Sequence, residues 1–94
     1  MIYVVSVSRE LLGILDRLFE KRHWLLSQLK VFEEKYKIKT SDFLDKWRRG
    51  EIPEPEDSEI HGDFMIWEGL AEDLERVEEE ISRYISGERN VENP

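Results

Sequence analysis

The sequence predicts an all-α fold, a long antiparallel helical hairpin with a short helix between its arms, which dimerises into a helical bundle. Two long segments repeat apolar residues at spacings of three and four, the spacing of one face of a helix. Between them lies a short amphipathic segment that ends in glycine and is followed by two prolines. The two halves also carry opposite net charge, which favours packing of one against the other.

The first long helix is predicted to begin at Ser8, a good N-cap, and to span about thirty residues. Val7 and Leu12 are placed to form a hydrophobic staple across that cap, and residues 2–7, "IYVVSV", read as a short strand or extended arm. The seam of this helix contains Leu11, Leu15, Leu18, Arg22, Leu25, Leu29, Phe32 and Tyr36. Arg22 is the charged residue of this seam. Either its aliphatic stem packs in the seam while its head reaches solvent or a nearby acid, or it forms a buried ion pair that fixes the helix register.

The apolar face of the first helix is wider than this seam. Leu12, Phe19 and Leu26 each lie one position beyond a seam residue, and Ile14 flanks the stripe. One neighbouring helix cannot cover so wide a face. We therefore expect a homodimer.

The segment "KTSDFLDKWRRG" predicts a short second helix, capped by Thr40 or Ser41. Two arginines suit its C-terminal end, and Gly50 suits the left-handed position after it. The elbow that follows, "EIPEPED", cannot resume the helix because each proline disfavours helical geometry in the residue before it.

A third helix is predicted from Ser58 to Gly87, with Asp63 as an alternative start because Gly62 weakens the first turn. Its seam contains Trp67, Leu70, Leu74, Val77, Ile81 and Tyr84. Residues 1–87 are expected to form a single helical domain, and residues 88–94 a flexible tail.

Composition narrows the function classes. The chain has no cysteine, so disulfides, zinc–thiolate sites and cysteine catalysis are excluded. It has no apolar run long enough to cross a membrane and no signal-peptide pattern at its start, so a cytoplasmic location is expected. Its charged residues make up 38% of the chain, with many Glu and few Asn or Gln, a trend of heat-adapted proteins.

The net charge of −8 is unevenly distributed. Residues 1–50 carry eleven basic and seven acidic side chains, whereas residues 51–94 carry three basic and fifteen acidic ones. Direct nucleic-acid binding is not expected, because phosphate contacts need clustered Lys and Arg. A basic partner is expected instead, either the first half of the chain or another protein.

No motif indicates catalysis, a metal or a cofactor. Glu20 and His23 form one E-x-x-H pair, but di-iron bundles need a second pair and further glutamates, so a solvated face is the simpler interpretation. The acids Glu72, Glu75, Glu78, Glu79 and Glu80 lie on one helix, whereas a magnesium site needs carboxylates from several elements. His61 reads as a surface residue, and no serine has a plausible base beside it.

The surroundings of the elbow are the predicted partner-binding surface, because Trp and Arg are enriched at interface hot spots. This surface consists of Trp47, Arg48, Arg49, Glu51, Glu54, Glu56, Asp57 and Trp67. The alternative is that its aromatic residues, with Phe43 and Phe64, only pack the short helix onto the long ones.

One stretch resembles a known group of proteins. It contains Phe43, Lys46, Trp47, Gly50, Glu51, Ile52 and Pro53, followed by "WEGL" at residues 67–70. Over about residues 33–80 this pattern resembles small, mostly archaeal, all-helical antitoxin-like proteins. The resemblance implies a protein-binding role that neutralises a toxin-like partner without catalysis. The charge of the chain is compatible with that role, because an acidic surface can occupy the cationic site of a basic partner such as a ribonuclease. The alternatives are a structural homo-oligomer with no toxin partner, and a metal-dependent nucleotide hydrolase.

Overall fold

A computed structural model describes the backbone of residues 8–90 and the side chains of residues 8–87. Over this range the chain forms three α-helices, α1 (Arg9–Tyr36), α2 (Thr40–Arg48) and α3 (Ser58–Asn90), and no strand. The long helices α1 and α3 pack antiparallel, and α2 lies across one end of them. The predicted helical hairpin is therefore confirmed. The predicted extended segment 2–7, with the staple residue Val7, and residues 91–94 lie outside the described residues.

The ends of the long helices follow mostly from local capping. The Ser8 hydroxyl accepts the backbone N–H of Leu11 at 3.0 Å, as predicted. At the start of α3, Asp57 Oδ1 accepts the backbone N–H groups of Glu59 and Ile60 at 2.9 and 3.0 Å. This cap lets α3 begin at Ser58, so the alternative start at Asp63 is wrong.

The far end of α3 corrects one prediction. The helix continues to Asn90, three residues past the predicted end at Gly87. A glycine inside a helix costs only about 1 kcal/mol relative to alanine, and no proline follows until Pro94. The predicted helix end at Gly87 is therefore wrong, and the flexibility of residues 88–94 stays a prediction.

The start of α2 corrects another prediction, because neither Thr40 nor Ser41 is its N-cap. The capping position is Lys39, which makes no side-chain cap hydrogen bond. The Thr40 hydroxyl instead accepts the indole N–H of Trp67 at 3.0 Å, and the Thr40 backbone N–H donates to the Glu33 carboxylate at 2.7 Å. Contacts to α3 and α1 thus replace the local cap.

The end of α2 has the geometry that its sequence predicts. Gly50 adopts a positive φ of 73°. Its N–H donates to the Trp47 carbonyl at 3.1 Å, and the Glu51 N–H donates to the Lys46 carbonyl at 2.9 Å. These two bonds are the Schellman motif, which satisfies carbonyls that the helix end leaves open.

The core consists of two adjoining apolar clusters. The larger lies where α2 crosses the hairpin and contains Leu29, Phe43, Leu44, Trp67 and Ala71. The smaller lies between α1 and α3 alone and contains Leu25, Val77 and Ile81. Partly buried seam residues pack against one or both clusters, namely Leu18, Phe32, Tyr36, Leu70 and Leu74. Leu11 and Leu15, nearer the start of α1, are only half-buried.

Ion pairs join the basic first half to the acidic second half. Arg22 Nε lies 3.1 Å from Glu78 Oε2, and both side chains remain partly exposed. Arg22 therefore reaches a nearby acid at the surface, and its interpretation as a buried ion pair is wrong. Among the described residues, no helix is both long and apolar enough to cross a membrane.

Candidate functional site

Six aromatic rings from all three helices meet at the α2 end of the hairpin. We call this group the aromatic cluster, and it consists of Phe32, Tyr36, Phe43, Trp47, Phe64 and Trp67. Phe43 stacks on Trp67 with ring centroids 3.9 Å apart. Tyr36 and Phe32 flank the Trp67 indole, each with its centroid 5.7 Å away. The cluster attaches α2 firmly to both long helices.

Trp67 was predicted to belong to the partner-binding surface, but it lies in the core. Its side chain is 0% exposed, so no partner can contact it in this fold. Trp47 is half-buried, stacked on Phe43 and edge-on to Phe64 with ring centroids 6.0 and 5.5 Å away. Both tryptophans pack α2 onto the hairpin, which was the alternative interpretation of these aromatic residues.

A polar network borders the aromatic cluster. Asp63 Oδ2 accepts hydrogen bonds from Lys35 Nζ at 2.7 Å and from the Tyr36 hydroxyl at 2.6 Å. The Lys35 bond and then the Tyr36 bond hold the pKa of the Asp63 carboxyl below its usual value. The bond to Asp63 raises the pKa of Lys35. Burial, followed by the same carboxylate, raises the pKa of Tyr36.

The two arginines of the predicted surface already have partners in the chain. Arg48 Nη2 lies 3.6 Å from Glu75 and 4.0 Å from Glu72 on α3. Arg49 pairs with Asp45 one turn earlier in α2 and with Glu51 just after the helix. These pairs are largely exposed to solvent, so each contributes little stability. They nevertheless reduce the positive charge that the surface could offer a partner.

The elbow, residues 51–57, is the part of the predicted surface that stays open. Ile52 is half-buried and packs against the larger core cluster, which anchors the elbow. Its four acidic residues, Glu51, Glu54, Glu56 and Asp57, are all exposed, and it contains no Lys or Arg. Asp57 caps α3, and the Glu54 carboxylate lies 3.8 Å from His61. The elbow is thus a fixed acidic projection beside α2.

A second open surface lies on α1. Leu12, Phe19 and Leu26 are 50%, 47% and 39% exposed, and we call these three residues the apolar stripe. The stripe ends at a shallow groove of about 250 Å³ where α1, α2 and α3 meet. Apolar side chains line most of the groove, namely Leu26, Leu29, Leu44, Ala71 and Leu74.

The residues considered for metal binding do not converge. Glu20 and His23 are exposed on α1, and Glu72, Glu75 and Glu78 face arginines of the first half. Within the described residues, no three His, Asp or Glu side chains are grouped so that they could hold a metal ion.

Several polar contacts around the aromatic cluster could not be predicted from the sequence. Asp63 and Thr40 meet partners 27 or 28 residues away, and no local pattern indicates such pairs. The sequence did indicate the Asp57 cap, because Asp directly before a helical run is a preferred N-cap.

Comparison with protein families, curated proteins and solved structures finds no match to this chain.

Proposed function

We propose that this chain is a non-catalytic protein-binding module whose acidic elbow contacts a basic partner protein. The observation that carries the proposal is the exposed elbow, where four acidic residues project from an anchored segment without a single Lys or Arg. Its backbone is held at both ends, by the Schellman turn at Gly50 and by the Asp57 cap. A preformed loop of one charge needs little ordering when it binds.

The surrounding charge supports the same partner class. On α3, Glu59 lies 3.6 Å from Lys35, whereas Glu68, Glu79 and Glu80 make no ion pair among the described residues. Such a field attracts a basic surface over a distance and raises its rate of association. The resemblance around Trp47 implies an antitoxin-like form of this function, and the charge of the elbow suits the cationic site of such a toxin.

The test begins with affinity capture from the native host, followed by binding kinetics with the purified captured protein. The decisive variant replaces Glu51, Glu54 and Glu56 with Gln and keeps Asp57, because Asp57 caps α3. We expect its association rate to fall by about tenfold at low salt, with a flatter salt dependence, since peripheral charges act mainly on encounter.

The matched control replaces Glu68, Glu79 and Glu80 with Gln, which makes the same change in net charge away from the elbow. This control should slow association much less. Equal effects of the two triple variants would mean that only net charge matters. Unchanged kinetics in the elbow variant would show that the partner binds elsewhere.

A further inference from the structure

The apolar stripe on α1 is distinct from the elbow. Leu12, Phe19 and Leu26 recur every seven residues, so they lie in one line along the helix. Their exposed fractions are between 39% and 50%, although each is a large apolar side chain. The line points into the groove at the junction of the three helices. A continuous apolar line that ends in a groove is typical of a protein–protein contact.

Away from α2, the described part of the chain consists of α1 packed on α3 alone. Leu12 and Phe19 lie in that part of α1, so no third helix of the described residues covers them.

We propose that the apolar stripe is covered by the same stripe of a second copy, with the two α1 helices antiparallel about a twofold axis beside Phe19. The spacing is self-complementary, because Leu12 and Leu26 each lie seven residues from Phe19. In this register Leu12 of one copy meets Leu26 of the other, at the mouth of the groove. Phe19 packs on its own counterpart, and the resulting contact is isologous and closed.

The position of α2 favours the antiparallel arrangement. Thr40, Ser41 and Leu44 of α2 border the groove beside Leu29. In a parallel dimer both copies of α2 would lie at the same level and hold the α1 helices apart. The antiparallel dimer places them at opposite ends, where each can flank the start of the other copy's α1.

Charge is also compatible with a second copy on this face. Glu75, the α3 acid that lines the groove, already pairs with Arg48, and Glu78 pairs with Arg22. The acidic elbow is not part of the stripe. Asp16 and His23 lie on the same flank of the stripe, one heptad apart, and the antiparallel register brings Asp16 of one copy to within one residue of the level of His23 of the other.

The first test measures the mass of the full chain in solution by sedimentation equilibrium. We expect a dimer at micromolar concentration. Phe19→Asp should raise the dimer dissociation constant by about thirtyfold or more, as for an interface hot spot. Trp24→Asp is the matched control, because Trp24 is an equally exposed aromatic residue on another face of α1, and it should leave the dimer intact. A monomeric wild type, or a dimer broken only by Trp24→Asp, would overturn the proposal.

The second test fixes the register and does not depend on how well Phe19→Asp folds. The chain has no cysteine, so single cysteines can be introduced cleanly. Mixing Leu12→Cys with Leu26→Cys under mild oxidation should give the mixed disulfide in preference to either symmetric one. Phe19→Cys alone should cross-link to itself, and Trp24→Cys should not. Symmetric Leu12 disulfides in place of mixed ones would show a parallel dimer and overturn the register.

Discussion

The ring of Phe43 lies flat against the indole of Trp67, with the centroids 3.9 Å apart and the planes 3° from parallel. Phe43 belongs to α2 and Trp67 to α3, and both side chains are almost completely buried. A nine-residue helix is marginal by itself in water. The stacking against Trp67 therefore explains how so short an element holds a fixed place across the hairpin.

Phe43→Ala should lower the free energy of unfolding by about 3–5 kcal/mol, because it removes a buried ring and leaves a cavity beside Trp67. Urea denaturation followed by circular dichroism measures this loss. Trp24→Ala removes a larger but exposed side chain and should change stability by no more than about 0.5 kcal/mol. Similar losses in the two variants would contradict the buried stack.

The hydrogen bond from the Trp67 indole to Thr40 gives a second prediction. Thr40→Val keeps the size of the side chain but leaves a buried N–H without an acceptor, at a cost of about 1–3 kcal/mol. Thr40→Ser keeps the hydroxyl and should retain most of the stability. The same denaturation assay compares them, and a Val variant as stable as the Ser variant would show that the bond contributes nothing.

The helices and most of their ends could be predicted because their causes are local. Apolar spacing indicates α1 and α3, Ser8 caps α1, and Gly50 ends α2. The start of α2 could not be predicted, because Thr40 is held by Trp67 and Glu33 and not by its own turn. Tertiary contacts of this kind override capping preference.

The sequence distinguished partner-binding residues from core residues less well than it predicted the helices. Trp47, Trp67 and the two arginines were predicted as interface residues because of their residue types. The same residue types also pack cores and form ion pairs within a chain. Only the packing shows that Trp67 is inaccessible and that Arg48 and Arg49 face acids of the same chain. The width of the apolar face of α1, in contrast, could be predicted from the sequence. Helical periodicity alone places Leu12, Phe19 and Leu26 beyond the seam.

Gly50 supplies a third prediction, based on backbone conformation. Gly50→Ala should destabilise the chain by about 1–2 kcal/mol, because a side chain at a positive φ is strained even where space is open. Gly69→Ala is the matched control. Gly69 lies inside α3 with open space at its Cβ position, so alanine there should stabilise the helix by about 0.5–1 kcal/mol. Thermal melting should therefore shift in opposite directions, and shifts of the same sign would contradict the left-handed turn.

The last prediction concerns the pH dependence of stability around Asp63. The pKa of Asp63 is lowered in the folded chain. The ionised Asp63 carboxylate therefore stabilises the fold at pH values above its pKa in the unfolded chain, about 3.9, and this stabilisation is lost as the pH falls below that value. The pKa values of Lys35 and Tyr36 are raised. The stabilisation that these two groups give the fold is present below about pH 10 and is lost as the pH rises through their pKa values in the folded chain.

Asp63→Asn should test both limits in one variant. The stability difference between wild type and Asp63→Asn should be largest between about pH 5 and 9 and shrink toward both extremes, because the substituted amide does not titrate. Asp45→Asn is the control, since Asp45 pairs with Arg49 on the exposed side of α2 and should have a small effect. Urea denaturation from about pH 2.5 to 11 measures these differences, a range that spans the ordinary pKa values of all three groups. A constant difference across that range would show that the Asp63 carboxylate is not linked to folding, and that the bonds from Lys35 and Tyr36 do not hold α1 to α3.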